Sequence, residues 1–475
     1  MNSTPVPDAP AAAAEPVANA DKPSPKTWRA GTLVYTGPAL AVLFFWLCFG
    51  DFSWAMRDRS VGPMAQWYLN KIGVSKVVFG LLLSSFPTLL GIIIGPVISV
   101  KSDRYRGRLG RRIPFLLITT PLGATGVVGL GLTPVVANWI HGYFPDASAT
   151  LVGIVCFSLF WAFFEVATIA GGAVFGGLIN DVVPKQLLGR FHSLFRAISL
   201  IDGILFSTFI FGHVSTHFTV ILCSIGVFYG VAFTWVCVKV KEGGYPPPPS
   251  PVKGARNDGI GKLLNSFGET KRYFRECFTN PYYLMLFVLL KISVLSFGPI
   301  NTFALPYAKS LGISDTTYGR GLGLTYTISL SLAFFLGWAA DVFHPLRMAI
   351  GSLACYIVVT AFGYFFATTP TMFLIAWVAH GVLSGCYFTS AASLGQRLFP
   401  HSKYAQFASA AGLFTALANM IMAPLIGLMI DTTGNVFRYT FAVSCVLAIF
   451  AVLAGLVVHR KFMKLGGPKG YVAPE

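Results

Sequence analysis

Eight side chains able to carry a charge lie inside stretches that are otherwise apolar: Asp51, Arg57, Asp58, Arg59, Glu165, Asp202, Lys291 and His380. A charge held in hydrocarbon costs about 2.5–3.5 kcal/mol on insertion scales, so such groups persist where they bind, pair or relay. Asp51 and Asp58 are seven residues apart and share one helix face. Arg57 and Arg59 stand about 100° to either side of Asp58, and Trp54 falls on the same broad face. This is a polar wedge of two acids flanked by bases. Glu165 sits mid-stretch, with Trp161 one turn before it, Thr168 one turn after and no base in its own segment. A carboxyl group that is neutral in one state and charged in another is what cation coupling requires. Glu165 is the first expectation for that role, Asp51 the second, and Asp202 belongs to the same group. Asp58 is expected to stay ionised between Arg57 and Arg59.

These groups need apolar elements to hold them. The 475 residues are 55% hydrophobic and 11% charged, against about 25% charged in an average soluble chain. That excludes a water-soluble globule. A spanning helix needs about 20 apolar residues. Twelve stretches qualify: 35–68, 76–100, 113–133, 150–180, 191–213, 218–238, 281–307, 316–340, 347–366, 371–396, 403–429 and 438–458. The first, fourth and tenth are long, so tilt or extension beyond the bilayer is expected. The expectation is an all-α membrane protein with two six-helix bundles, 31–240 and 281–460. A disordered tail over 1–30, a linker over 241–280 and a tail over 461–475 complete it. Within the linker, Ile260, Leu263, Leu264 and Phe267 have the spacing of a surface amphipathic helix over 259–278.

Orientation follows from Lys and Arg. Alternating the spans puts Lys71, Lys76, Lys309, Arg320 and Arg438 on one side and Arg57, Arg59 and Lys291 within spans. The other 27 of the 35 fall on the opposite side, which the positive-inside rule makes cytoplasmic. Both termini are expected there, in a cell membrane. The net charge of +17 then records topology and needs no nucleic-acid partner. The halves also repeat. K-I-G-V-S-K-V-V-F-G (71–80) aligns with S-L-G-I-S-D-T-T-Y-G (310–319), pairing Gly73 with Gly312 and Gly80 with Gly319. Each following span ends in an aspartate, Asp103 or Asp341. Six spans separate the copies, so the repeats run parallel about an axis along the membrane normal.

The loop S-D-R-Y-R-G-R-L-G-R-R-I-P-F (102–115) carries Asp103, Arg104, Arg108, Gly110, Arg111, Arg112 and Pro114, with Gly95 before it. This series resembles the cytoplasmic signature of the major facilitator superfamily. Gly110 stands seven residues after Asp103, where the common form has three. That longer form resembles the glycoside–pentoside–hexuronide:cation symporters and the plant sucrose–proton symporters. N-D-V-V-P-K-Q-L-L-G-R (180–190) is similar to the superfamily's loop after span 4. The resemblance implies that spans 1, 4, 7 and 10 line a central cavity and that Asp103 pairs with an arginine of its loop or the next helix. The C-terminal copy at Asp341 is degenerate, with only Arg347 following.

The expected activity is cation-coupled symport of a sugar or glycoside by alternating access, with a co-transported proton or sodium ion, no cofactor and no metal. A monomer is expected. Sugar hydroxyls take carboxylate, guanidinium or amide partners and an aromatic face. Asp51, Trp54, Arg57, Asp58, Arg59, Trp161, Lys291, Asn301, His380 and Asn419 are the candidate contacts. Each has a structural alternative: an ion pair for Asp58, Arg59 and Asp202, helix packing for Trp161, and interhelical hydrogen bonds for Asn301, Asn419 and His380. An anionic substrate such as a hexuronate is the rival solute, since Arg57, Arg59 and Lys291 could hold a carboxylate. A non-transporting sensor on the same fold is the rival class. No phosphate loop, no H-E-x-x-H and no Tyr-Asp companion to the Gly50-Asp51 pair occur, so ATP-driven transport and intramembrane proteolysis are not expected.

Overall fold

The computed structural model describes residues 27–245, 277–400 and 404–474. Twelve long helices follow one another: α1 Gly37–Lys71, α2 Lys76–Arg104, α3 Ile113–Tyr143, α4 Ala149–Val182, α5 Leu188–Leu205, α6 Val214–Lys239, α7 Pro281–Ser310, α8 Asp315–Phe343, α9 Pro345–Phe366, α10 Pro370–Ala391, α11 Tyr404–Thr432 and α12 Tyr439–Lys464. α5 runs on through a π turn at Phe206–Ile210, and non-helical backbone at His217 marks the break before the body of α6. Outward-facing residues are large and apolar, among them Ile118, Phe209, Phe335 and Val358. Hydrocarbon tolerates such a surface and water does not. The chain is an integral membrane protein.

α3 runs to Tyr143, through Pro134 and past the expected limit at 133, and α12 runs to Lys464, into the expected tail. Proline is tolerated inside spanning helices because neighbouring groups satisfy the freed carbonyls. α10 stops at Ala391 and a short helix, Leu394–Leu398, follows after a turn, so the tenth apolar segment, expected at 371–396, runs over Pro370–Leu398 with a break. Residues 28–30, assigned to a tail, form a strand (β1 Trp28–Ala30) that pairs antiparallel with β2 (Leu33–Tyr35). Gly31 turns the hairpin at φ +57°. The tail over 1–26 and nearly all of the expected linker helix, up to 276, lie outside the described residues, as does the Asp341 side chain.

The repeat is visible in the backbone. Gly73 and Gly312 both take left-handed φ, +72° and +73°, at the turns before α2 and α8. Two residues on, Ser75 and Ser314 each cap the next helix by accepting an N–H bond. Gly80 lets α2 lie directly on α11: a Cβ there would stand 2.7 Å from the Ala423 carbonyl carbon. Its partner Gly319 plays the same part for α8 on α5, against the Ser207 carbonyl oxygen.

Those crossings sit near one end of the molecule, the far face, opposite the Arg-rich loops of the basic face. Further bonds reinforce them. Asp431 of α11 accepts from the backbone N–H of Lys76 (3.1 Å) and Val77 (3.2 Å), capping α2 from the other half. Trp67 Nε1 donates to Asp315 at 3.3 Å, and Phe79 stacks on Phe303. Among the described residues, no hydrogen bond joins the halves on the basic side of Arg59. The halves are sealed on the far face and part towards the basic face.

Gly80→Ala is expected to force α2 off α11 and cost about 1–3 kcal/mol, whereas Gly91→Ala, with open space around its Cβ, should cost little. Thermal unfolding of the two purified variants checks this, and equal midpoints would contradict it.

Candidate functional site

A cavity of about 390 Å³ lies between the halves. The N-terminal half contributes Arg59 and Gln66 from α1 and Arg196 from α5. The C-terminal half contributes Asn301 (α7), Tyr326 and Ser329 (α8), and His380 and Ser384 (α10), with Trp377 and Phe388 as aromatic walls. No acidic side chain lines this cavity among the described residues. Two guanidinium groups make it cationic.

Arg59 is held in place by neighbours from both halves. Its Nη2 donates to Ser199 Oγ at 2.9 Å and its Nε to the Ser199 carbonyl at 3.2 Å. The Tyr326 ring lies 4.9 Å from the guanidinium. Gly203 makes room for that ring, since a Cβ there would stand 2.6 Å from it. Arg196 is within electrostatic reach of Arg59. Arg196 was counted above with the cytoplasmic charges although the expected span 191–213 contains it; it lies within α5, in the cavity wall.

Behind the arginines lie two acids. Asp202 is fully buried, and neither carboxylate oxygen has a hydrogen-bond partner among the described residues. Asp51, also buried, leaves Oδ2 unpartnered. Asp202 is within electrostatic reach of both Asp51 and Arg59.

The rest of the span 1 wedge turns into its own half. Arg57 is wholly buried, its guanidinium 4.0 Å from the Trp54 ring and 4.5 Å from Tyr229. It pairs with Asp58 at 2.6 Å, and Asp58 keeps 46% of its side-chain surface exposed. Gly171 on α4 admits the Trp54 ring, with a Cβ there only 3.0 Å from Cη2. Neither Trp54 nor Arg57 lines the cavity between the halves. Glu165 lies within electrostatic reach of Arg57 and Asp58. Its own helix supplies no base, but α1 does.

The other expected residues scatter. Trp161 is packed between Phe157 and Phe164, and its Nε1 donates to the Leu82 carbonyl at 2.9 Å. That carbonyl belongs to a π turn, Leu81–Ser85, where the regular ladder shifts by one residue. His380 is engaged at both ring nitrogens, by Tyr356 Oη (2.8 Å) and Asn301 Oδ1 (3.0 Å). Asn419 sits in α11 at the α2 seam, its carbonyl accepting from Ser84 Oγ. Lys291 faces a separate pocket beside Tyr387 and Phe399, without an ion-pair partner among the described residues. It does not meet Asp51. It lies in a π turn, Val288–Ile292.

On the basic face a network closes around the 102–115 loop. Arg112 pairs with Asp103 and donates to Ser102 Oγ at 2.6 Å. Arg111 forks onto Asp181 of α4, Nη2 at 2.5 Å and Nε at 2.9 Å. Glu242, beyond α6, accepts from the backbone N–H of Arg111 (3.0 Å), Arg112 (2.8 Å) and Ile113 (2.7 Å). It caps α3. Gly110 takes φ +101°, and a Cβ there would collide with the Glu242 carboxyl. Tyr245 donates to Glu242 at 2.6 Å, and burial together with that carboxylate raises its phenol pKa. Pro114 starts α3. Arg104 and Arg108 are exposed, and no side chain stands within 4 Å of a Cβ at Gly95.

Comparison with known proteins identifies the architecture. Residues 286–471 match the Major Facilitator Superfamily. A bacterial homolog of the human lysosomal transporter Spinster, in an inward-facing, unoccupied conformation, superposes with a TM-score of 0.65 at 15% identity over 93% of this chain and 100% of that one. The xylose transporter XylE from E. coli, inward open, gives 0.59 at 14% identity over 88% and 95%. A bacterial homologue of the iron transporter ferroportin, inward-facing, gives 0.62 at 15% over 88% and 99%. No curated protein matches the sequence. The fold is the major facilitator fold, two six-helix halves about a pseudo-twofold axis.

Glu242→Ala strands three backbone donors and is expected to cost about 1–3 kcal/mol, with Glu242→Gln costing less because one acceptor oxygen remains. Thermal midpoints of the two variants decide it, and wild-type stability in Glu242→Ala would contradict the capping role.

Proposed function

We propose that the protein is a cation-coupled secondary transporter working by alternating access, with a small hydroxylated carboxylate, such as a hexuronate or related organic acid, as its substrate. One observation carries the choice of solute: Arg59 and Arg196 line the cavity and, among the described residues, no acid does. Guanidinium groups are the natural partners of a carboxylate, which they can grip through two parallel bonds. Gln66, Asn301, Ser329 and Ser384 would take hydroxyls, and the Trp377 face would take the apolar side of a ring. The 102–115 loop, with its long Asp103–Gly110 spacing, supports a relationship to the carbohydrate–cation symporters. A neutral sugar is the second reading, favoured by that loop and by the stacked Tyr318–Trp377 pair at 4.3 Å in the cavity wall.

Coupling runs through the acids behind the arginines. Asp202 and Asp51 have unpartnered oxygens, and Asp202 is within electrostatic reach of both Asp51 and Arg59, so a proton taken there changes the field that a substrate carboxylate meets. Glu165, set beside Arg57 and Asp58, is a further coupling residue. A proton is the expected ion, and sodium is the alternative that carboxylates serve equally. The basic face is cytoplasmic by the positive-inside rule, which makes this an inward-facing state with both termini in the cytoplasm of a cell membrane. In it the 102–115 network braces the N-terminal half alone. The monomer suffices, since both halves of the cavity come from one chain.

In proteoliposomes, Arg196→Gln should raise the KM for a hexuronate at least about tenfold, the loss of one charge-assisted bond of about 1.5–3 kcal/mol. Asp202→Asn should abolish accumulation driven by a proton gradient while sparing counterflow exchange. Gradient-driven accumulation in Asp202→Asn would remove it from coupling. Unaltered KM in Arg196→Gln would favour the neutral-sugar reading.

A further inference from the structure

A second pocket, of about 660 Å³, opens on the basic face between the 106–110 turn and the end of α6 at 237–245. It belongs to the N-terminal half and is separate from the cavity between the halves. Its basic members are Arg106, Arg108 and Lys241. Arg106 already donates to the carbonyls of Asp103 (2.6 Å) and Tyr105 (2.8 Å). Arg108 and Lys241 are exposed and have no acidic partner among the described residues. The acid in the lining, Glu242, is taken up by three backbone donors and Tyr245. The pocket therefore presents two uncompensated cations.

Its other wall is apolar: Leu109, Leu117 and Val238. Val238 and Leu109 are exposed. Trp235, nearly one turn before Val238 on α6, is 54% exposed and stacks on Trp46, whose ring lies 6.0 Å from Lys239 Nζ. Exposed tryptophan beside lysine is the side-chain pattern of the headgroup level, where an amphipathic ring meets water and hydrocarbon together. Cations thus sit above an apolar wall that continues onto the outer face of the helices.

We propose that this pocket binds an anionic phospholipid, with Arg108 and Lys241 holding the phosphate and Leu109, Leu117 and Val238 holding the upper acyl chain. Basic pockets between helices at a membrane surface suit such headgroups. A soluble phosphate would use the cations but leave the apolar wall without a role. Gly110 and Glu242 line the same pocket, so a bound lipid would press on the turn that caps α3.

The test uses the full chain, purified in detergent and titrated with phosphatidylglycerol or phosphatidylcholine, with retained lipid read by native mass spectrometry. Wild type should prefer phosphatidylglycerol by roughly thirtyfold, at one proximal cation's contribution for each of two residues. The double variant Arg108→Gln, Lys241→Gln, altered only at exposed positions, should lose that preference. Equal retention of the two lipids by wild type, or an undiminished preference in the double variant, would overturn the proposal. Inorganic phosphate at matched concentration should leave phosphatidylglycerol bound, and displacement by phosphate alone would overturn the lipid assignment.

Discussion

Holding ionised groups inside hydrocarbon is the constraint on which the rest of this structure depends. Each such group costs a few kcal/mol, and a close pair at an effective dielectric near 20 recovers about 4 kcal/mol at 4 Å. Costs and gains nearly cancel. The N-terminal half answers by gathering its charges across α1, α4 and α5. Arg57 is sandwiched between Trp54 and Tyr229 and bound to Asp58. Arg59 is fixed by Ser199 and Tyr326, with Asp202 in reach. A near-balanced cluster is one that a proton, a solute carboxylate or the departure of α8 can tip. Tyr326 belongs to α8, so motion of one half against the other changes what Arg59 meets.

The seam between the halves is built on glycine. At Gly80 and Gly319, one repeat apart, helices of opposite halves touch backbone to backbone. Side-chain interdigitation would resist rocking, whereas a small-residue crossing offers a pivot. The Asp431 cap on α2 adds a polar clasp at the same end. On the opposite face the bonds of the 102–115 network among the described residues, to Asp181, Glu242 and Tyr245, stay within one half.

Much of this was legible in the sequence. The apolar stretches marked the twelve helices, and the glycine repeat marked the pseudo-twofold, because both are local patterns. The charged positions within spans stood out too, but of the ten candidate contacts only Arg59, Asn301 and His380 line the cavity between the halves. The partners of these charges were not legible. Arg57 meets Tyr229, and Arg111 meets Asp181, through helix packing that no local spacing encodes. Arg196 was hidden because its segment, F-H-S-L-F-R-A, reads as the amphipathic entry to a span. Glu242 was hidden in a short loop beside lysines. The π turns in α2, α5 and α7 escaped as well, since packing against neighbouring helices decides where a helix gains a residue. Thr325 and Ser329, one turn apart in α8, were the available hint that this helix faces the cavity.

The central claim is that a cationic cavity and the acids behind it couple a carboxylate-bearing solute to a proton. It is tested most directly by pH recording outside wild-type proteoliposomes as matched solutes are added. The account predicts alkalinisation on adding a hexuronate and none on adding the neutral hexose of the same ring. Proton movement with the neutral hexose alone, or with neither solute across a panel of ring stereochemistries, would contradict it.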